Sequence, residues 1–188
     1  GVMAYDVEGF VESTDDFVSV TRAKTQRLLD TRQELERANL EVEVVSAGNT
    51  RNYDLVADMD GVTEIQAGVY ALSDLRHQNR FEPAASVIGS VSSLPEPGVM
   101  ITDTGRKAIG NDTGDPSLDN LPGAVLRSLS AEHGIIALND PMDAGLGDLV
   151  WHTPWDVGAC VNLYDYMYAV RDGRLELVWE IQSRERYR

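Results

Sequence analysis

The sequence predicts an α/β unit followed by an antiparallel β domain. Three observations carry that expectation. Over residues 1 to about 72, strand-like runs alternate with a long amphipathic helix, the rhythm of a parallel sheet. After "RHQNRFEP" (76–83) that rhythm gives way to short apolar runs broken by Gly, Pro and Asp turns, which argues for an antiparallel barrel or sandwich. Near the C-terminus, Asp172-Gly173 separates two alternating runs, a strong hairpin signal. The boundary is expected near 75–84, giving domains 1–80 and 81–188. No internal repeat and no low-complexity segment is present.

The chain opens on "GVMAYD", whose apolar residues read as a strand. A free N-terminus is usually polar and frayed, so further chain is expected before it; a trimmed tag is the alternative. "STDDF" from Ser13 starts a helix, with capping side chains and acids in its first turn. Phe17, Val20, Leu28, Leu35 and Ala38 recur at three-, seven- and eight-residue steps and carry the helix to about Ala38. In "LEVEVVSAG", Leu40, Val42 and Val44 alternate with acids, predicting a strand that ends at Ser46-Ala47-Gly48. "VTEIQAGVYAL" (62–72) is the next strand. Beyond residue 84, "ASVIGSVSSL", "GVMITDTG", "HGIIALND" and the two arms around Asp172-Gly173 are strand candidates.

Composition narrows the function classes. Of the 188 residues, 43% are apolar and 25% charged, an ordinary globular balance. A formal net charge of −15 repels nucleic acid, and the basic cluster "RERYR" at the C-terminus is too short to reverse that. No run approaches the roughly 20 apolar residues of a membrane span, and no basic segment leading into an apolar one is visible. One cysteine rules out an internal disulfide and fits a reducing compartment, so a cytoplasmic location is expected.

Several stretches carry candidate chemistry. "SAGNTRNY" (46–53) follows a strand, and a Gly among small hydroxyl and amide residues there can present backbone N–H groups to a phosphate. A plain βα turn has the same composition. "QAGVY" (66–70) is a second such turn, and phosphate sites in α/β barrels sit between late strands. Lys107 in "TDTGRKAIG" is a Schiff-base candidate or, more simply, an exposed strand-end lysine; Lys24 lies on the polar run of the helix. His133 beside Glu132 could do acid–base work or satisfy a backbone carbonyl. In "VWHTPWDVGAC" (150–160), His152, Asp156 and Cys160 stand at i, i+4 and i+8. Pro154 and Gly158 argue against one helix that would align them, so the signal for a metal site is weak.

Taken in order, "GVMAYD", "VSAGNTRNYD", "VTEIQAGVYALSD", "SVSSLPEPGVMITDTGRKAI", "EHGII" and "GDLVWHTPW…VNLYDYMYAVRDGRLELVW" resemble the D-threonine aldolase and D-serine dehydratase family. These are fold-type III pyridoxal-phosphate enzymes related to alanine racemase. The resemblance spans nearly the whole chain but matches only the second half of the family. It implies the C-terminal half of a (β/α)8 barrel followed by an antiparallel β-barrel or sandwich domain. It also implies a homodimer or heteromeric assembly, completed by an N-terminal barrel half on a separate chain or a cleaved segment. That half would carry the Schiff-base lysine, because Lys107 falls in the family's "DxGxK" motif of the β domain.

By motif, the resemblance puts pyridoxal 5′-phosphate against Ser46, Gly48, Asn49 and Thr50, with Gly68 and Val69 offering N–H groups. Gln66 would lie near the pyridine ring and Tyr70 close by. Two departures stand out. A family histidine near the substrate corresponds here to about Glu8. The family's metal pair, His-x-Cys or His-x-Asp, falls on Asp156 and Gly158. His152 and Cys160 are out of register and could serve only if the local backbone differs. The expected function is therefore a lyase, aldolase or dehydratase, acting on a β-hydroxy D-amino acid with an altered or absent divalent-metal site. A metal-independent racemase-like enzyme and a non-catalytic subunit of the same family are the alternatives.

Overall fold

A computed structural model describes residues 1–5, 14–138 and 144–184. Ser13, the Glu8 region, residues 139–143 and the basic tail beyond Arg184 lie outside the described residues. The chain divides into two compact units, Gly1–Ala71 and Leu72–Arg188. The division falls at 71/72, and residues 72–84 join the second unit through backbone bonds. Leu75 N–H reaches Pro154 O at 3.2 Å, and Ala84 N–H reaches Leu72 O at 2.7 Å.

In the first unit β1 (Val2–Ala4), β2 (Val45–Ala47) and β3 (Glu64–Ile65) form a parallel sheet in that order. The helix α1 (Thr14–Arg37) and a short α2 (Tyr53–Ala57) connect them. Strand β2 is buried along its whole length, as a central parallel strand must be. The expected alternation of Leu40, Val42 and Val44 does not hold: Leu40 and Val44 are exposed, while Val42 and Val45 are buried. The cause is the end of α1. Asn39 takes φ 60°, and Leu40 N–H closes back on Leu35 O at 2.9 Å. That closure is a Schellman stop, which delays the strand to Val45. The buried face of α1 keeps Leu28 and Leu35 of the expected set and adds others. Leu28 and Leu29 join Thr21 and Thr25 on it, and Ala38 is exposed. Strand β3 covers only two residues, and Val69–Ala71 forms a 3₁₀ turn.

The second unit is built on a five-stranded antiparallel sheet. Its members are β4 (Val87–Glu96), β5 (Val99–Thr102), β6 (Val125–Leu129), β7 (Gly134–Ala137) and β8 (Leu149–His152), in the order β6-β7-β5-β4-β8. Strand β4 pairs with β8 over 87–90 and with β5 over 91–96, with register breaks that coil the sheet. Val91, Met100, Ile136 and Val150 from four strands meet Leu121 in the core. The short helices α3 (Arg106–Ile109) and α4 (Val157–Val161) cover a second cluster of Ile109, Leu129 and Cys160. Gly89 faces Thr104 so closely that a Cβ would lie 1.8 Å from the Thr104 hydroxyl.

The hairpin β9 (Tyr166–Arg171) and β10 (Arg174–Glu180) turns at Asp172-Gly173, with φ of 49° and 72°. These positive angles belong to the primed turn the sequence announces. Tyr168 lies opposite Val178, and Met167 opposite Trp179. Tyr168, Val178 and Trp179 are each at least half exposed, at 63%, 50% and 50%, so the ribbon shows apolar side chains on both faces. No described helix is long and apolar enough to cross a membrane.

Candidate functional site

In the first unit, β2 and β3 run parallel, so the turns that follow them leave the same sheet edge. Ser46 and Gln66, two expected cofactor contacts, are joined there. Gln66 Nε2 donates to Ser46 Oγ at 2.8 Å, and Ser46 Oγ donates to the Glu64 carboxylate. Asn49 and Asn52 close the first turn on itself: Asn49 N–H reaches Asn52 Oδ1 at 2.7 Å, and Arg51 N–H reaches Asn49 Oδ1 at 2.8 Å. Gly48 sits at φ +79°, which explains its place before this turn. Thr50, almost wholly buried, accepts from Tyr70 N–H and so links the two turns. These bonds fall into three sets, Gln66 with Ser46 and Glu64, Asn49 with Arg51 and Asn52, and Tyr70 with Thr50, of which the first and last tie the two turns together.

Gly68 and Val69 complete the group. A Cβ at Gly68 would meet nothing within 4 Å, so open space adjoins this backbone. An anionic group approaching there would find a small-residue turn backed by a fixed polar network. The residues present fit the phosphate end of pyridoxal phosphate. Neither lysine of the chain fits the aldehyde end. Lys107 is exposed and paired with Glu132, and Lys24 lies on the exposed side of α1. Glu132 therefore answers Lys107 rather than His133.

In the second unit, "VWHTPWDVGAC" is a strand, a turn and a helix in succession. His152 ends β8, Asp156 caps α4, and Cys160 lies inside α4. Asp156 Oδ1 accepts from Ala159 N–H at 3.1 Å, a helix cap. His152 is fully buried, and among the described residues the Ser117 backbone lies beside its ring without meeting good hydrogen-bond geometry. Burial pushes its pKa down, offset in part by the Ser117 backbone and the charges of Asp119 and Asp103. Cys160 is buried, its thiol 3.9 Å from Ala108 O, and burial with the nearby Asp156 charge pushes it up to about 11. A thiol held so high is a poor nucleophile and a poor ligand. The i, i+4, i+8 spacing thus converges on nothing. Among the described residues, no three His, Cys, Asp or Glu side chains form a metal cluster.

What does converge on Asp156 is a group the sequence did not announce. Asp74, fully buried, accepts from Arg76 Nη2 at 2.8 Å and Arg76 Nε at 3.3 Å. His77 Nδ1 lies 2.6 Å from Asp74 Oδ1, and Val157 N–H reaches Asp74 Oδ2 at 3.2 Å. Burial pushes the Asp74 carboxyl up, but the hydrogen bonds from Arg76, His77 and Val157 together hold it below the ordinary aspartate value. The same Arg76 Nη2 stands 3.1 Å from Asp156 Oδ1. The implied metal does not fit these residues: Asp156 is already engaged twice, and Gly158 contributes no side chain.

Comparison with known proteins agrees with the resemblance. Residues 84–170 match the family model described as "Putative serine dehydratase domain". A D-threonine aldolase from Arthrobacter sp is 30% identical over 160 residues, covering 81% of this chain and 42% of the relative. The solved D-threonine aldolase from Filomicrobium marinum superposes with a TM-score of 0.89 at 25% identity, covering 98% of this chain and 52% of that one. An alanine racemase-like protein from Idiomarina loihiensis gives a TM-score of 0.82 at 23% identity, with 96% and 55% covered, a likeness of fold alone. The chain spans about half the length of the relatives it matches. By sequence and by fold, over about half of their length, the chain is similar to D-threonine aldolase and serine dehydratase-like proteins, with an alanine racemase-like fold.

Proposed function

We propose that the chain supplies the phosphate-binding turns of a pyridoxal-phosphate lyase, an aldolase or dehydratase, acting on a β-hydroxy D-amino acid. The observation that carries this reading is the joining of the turns at 46–52 and 66–70 through Thr50, beside the open space at Gly68. Pyridoxal phosphate supplies the electron sink for such chemistry when bound. The chain's own part is to hold the phosphate on the Gly68–Val69 backbone and to fix Ser46 Oγ between Gln66 and Glu64. The lysine that bonds the cofactor would come from a polypeptide corresponding to the half of the relatives this chain does not span, in a homodimeric or heteromeric assembly. Equilibrium dialysis of the whole chain against pyridoxal 5′-phosphate and against pyridoxal tests the phosphate site. Retention of the phosphorylated compound alone is expected, and equal retention of both would overturn the reading.

A second reading, a racemase-like reaction independent of metal, is favoured by one observation: Asp156 is committed to Arg76 and to its own helix. Once the completing half is supplied, product analysis on D-threonine and D-serine separates the two. Aldehyde or ammonia release supports the lyase, and change of configuration without cleavage supports the racemase.

A further inference from the structure

We infer that the chain's own guanidinium, Arg76, takes the place of the divalent ion. Asp156 stands where the family register puts the first metal ligand. One nitrogen, Arg76 Nη2, is shared by Asp156 Oδ1 at 3.1 Å and Asp74 Oδ2 at 2.8 Å. Two carboxylate oxygens from segments some 80 residues apart in sequence therefore converge on a single cationic atom. That is the arrangement an oxygen-liganded ion would have, with oxygens at roughly 2.0–2.6 Å instead.

The clamp is built from the chain's backbone as well as its side chains. Arg76 N–H also donates to Asp74 Oδ1 at 3.1 Å, and Val157 N–H to Oδ2, so Asp74 is fixed from both sides. Asp74 is fully buried, while the Arg76 side chain is one-third exposed and reaches in from solvent. Asp156 is held in turn as the cap of α4. A guanidinium stays charged at any accessible pH and has no coordination position to offer. It keeps a positive charge at this place and leaves no room for a Lewis acid. Gly158, where the second ligand would be, adds no donor to draw an ion away from the clamp.

The inference rests on the family register of the proposed function. Its test reads metal binding alone, so failure of cofactor binding would not touch it. The whole chain is titrated with Mn²⁺, followed by electron paramagnetic resonance, beside Asp156→Asn. Asparagine keeps the helix cap, so this variant isolates the carboxylate charge. Wild type and Asp156→Asn are expected to take up Mn²⁺ equally weakly, as an acidic surface does. Arg76→Gln vacates the clamp and is expected to bind Mn²⁺ more tightly by about ten-fold or more, one ion per chain. Adding Asp156→Asn to it should abolish that gain. Stoichiometric Mn²⁺ on wild type that Asp156→Asn removes would overturn the inference. So would a folded Arg76→Gln chain with no gain in affinity. If Arg76→Gln does not fold, the wild-type comparison alone decides.

Discussion

The Thr50 hydroxyl accepts a hydrogen bond from the Tyr70 backbone N–H at 3.2 Å, and this bond holds the turn after β2 against the turn after β3. Neither turn alone would fix the position of the open Gly68 backbone. Thr50→Val keeps the shape and removes the acceptor. It should cost about 1 kcal/mol of stability and loosen both turns. Binding of pyridoxal phosphate, followed by quenching of protein fluorescence, should weaken, while pyridoxal should quench neither protein.

Asp74 makes acid stability measurable. Its carboxyl is held below the ordinary aspartate value, so its contribution is full above about pH 4. That contribution is lost as pH falls through the lower value of the folded state. Asp74→Asn should abolish this dependence. It should also cost about 1–3 kcal/mol at neutral pH, because Arg76 loses the nearer of its two carboxylates and His77 and the Val157 N–H lose an acceptor. Urea unfolding of both proteins between pH 2 and 7 reads both effects, with pH 2 to 7 spanning roughly the carboxylate and neutral range.

His152 has the opposite sign of consequence for its kind. Burial lowers its pKa in the folded state, so the unfolded chain binds the proton more readily. Stability is complete above the ordinary histidine value of about 6.5 and falls as pH drops towards the folded one. His152→Met should flatten that part of the profile. It should also leave neutral-pH stability equal or higher by about 1 kcal/mol, since it removes two buried nitrogens that make no well-formed hydrogen bond. A difference profile of the two proteins isolates the residue from His77 and His133.

At Gly89 the Thr104 hydroxyl already fills the space of a side chain. Gly89→Ala should destabilise the second unit by about 1–3 kcal/mol through overpacking. Thr104→Ala in the same chain should recover part of the loss, and a thermal double-mutant cycle gives the coupling.

Cys160 should be inert. With its thiol pushed up to about 11 and buried, it should resist a disulfide reagent in the native chain at neutral pH and react fully in denaturant. Fast native labelling would contradict the packing of α4 on α3.

What the sequence made legible follows a physical division. The parallel βα rhythm and the Asp172-Gly173 turn were readable because periodicity and positive-φ turns are local properties. The turns at 46–52 and 66–70 were readable for the same reason, and the register of β2 and β3 supplied their meeting. On α1 the expected Leu28 and Leu35 do face the core, but Thr21 and Thr25 were missed because they count as polar in a pattern, yet their methyl groups allow burial. The spacing of His152, Asp156 and Cys160 misled because secondary structure changes from strand to helix between them. Asp74 gave no signal at all. Its partner at Val157 lies 83 positions away, and only the folded chain brings the two together.

The β9–β10 ribbon has a consequence for the chain as a colloid. Apolar side chains on both faces of a solvated two-stranded ribbon are adhesive towards any similar surface. A net charge of −15 keeps copies apart by long-range repulsion. That repulsion acts over about 10 Å at 0.1 M salt and about 3 Å at 1 M. Salt thus governs how near two ribbons can come. The dispersity of the solution should therefore follow ionic strength more closely than temperature.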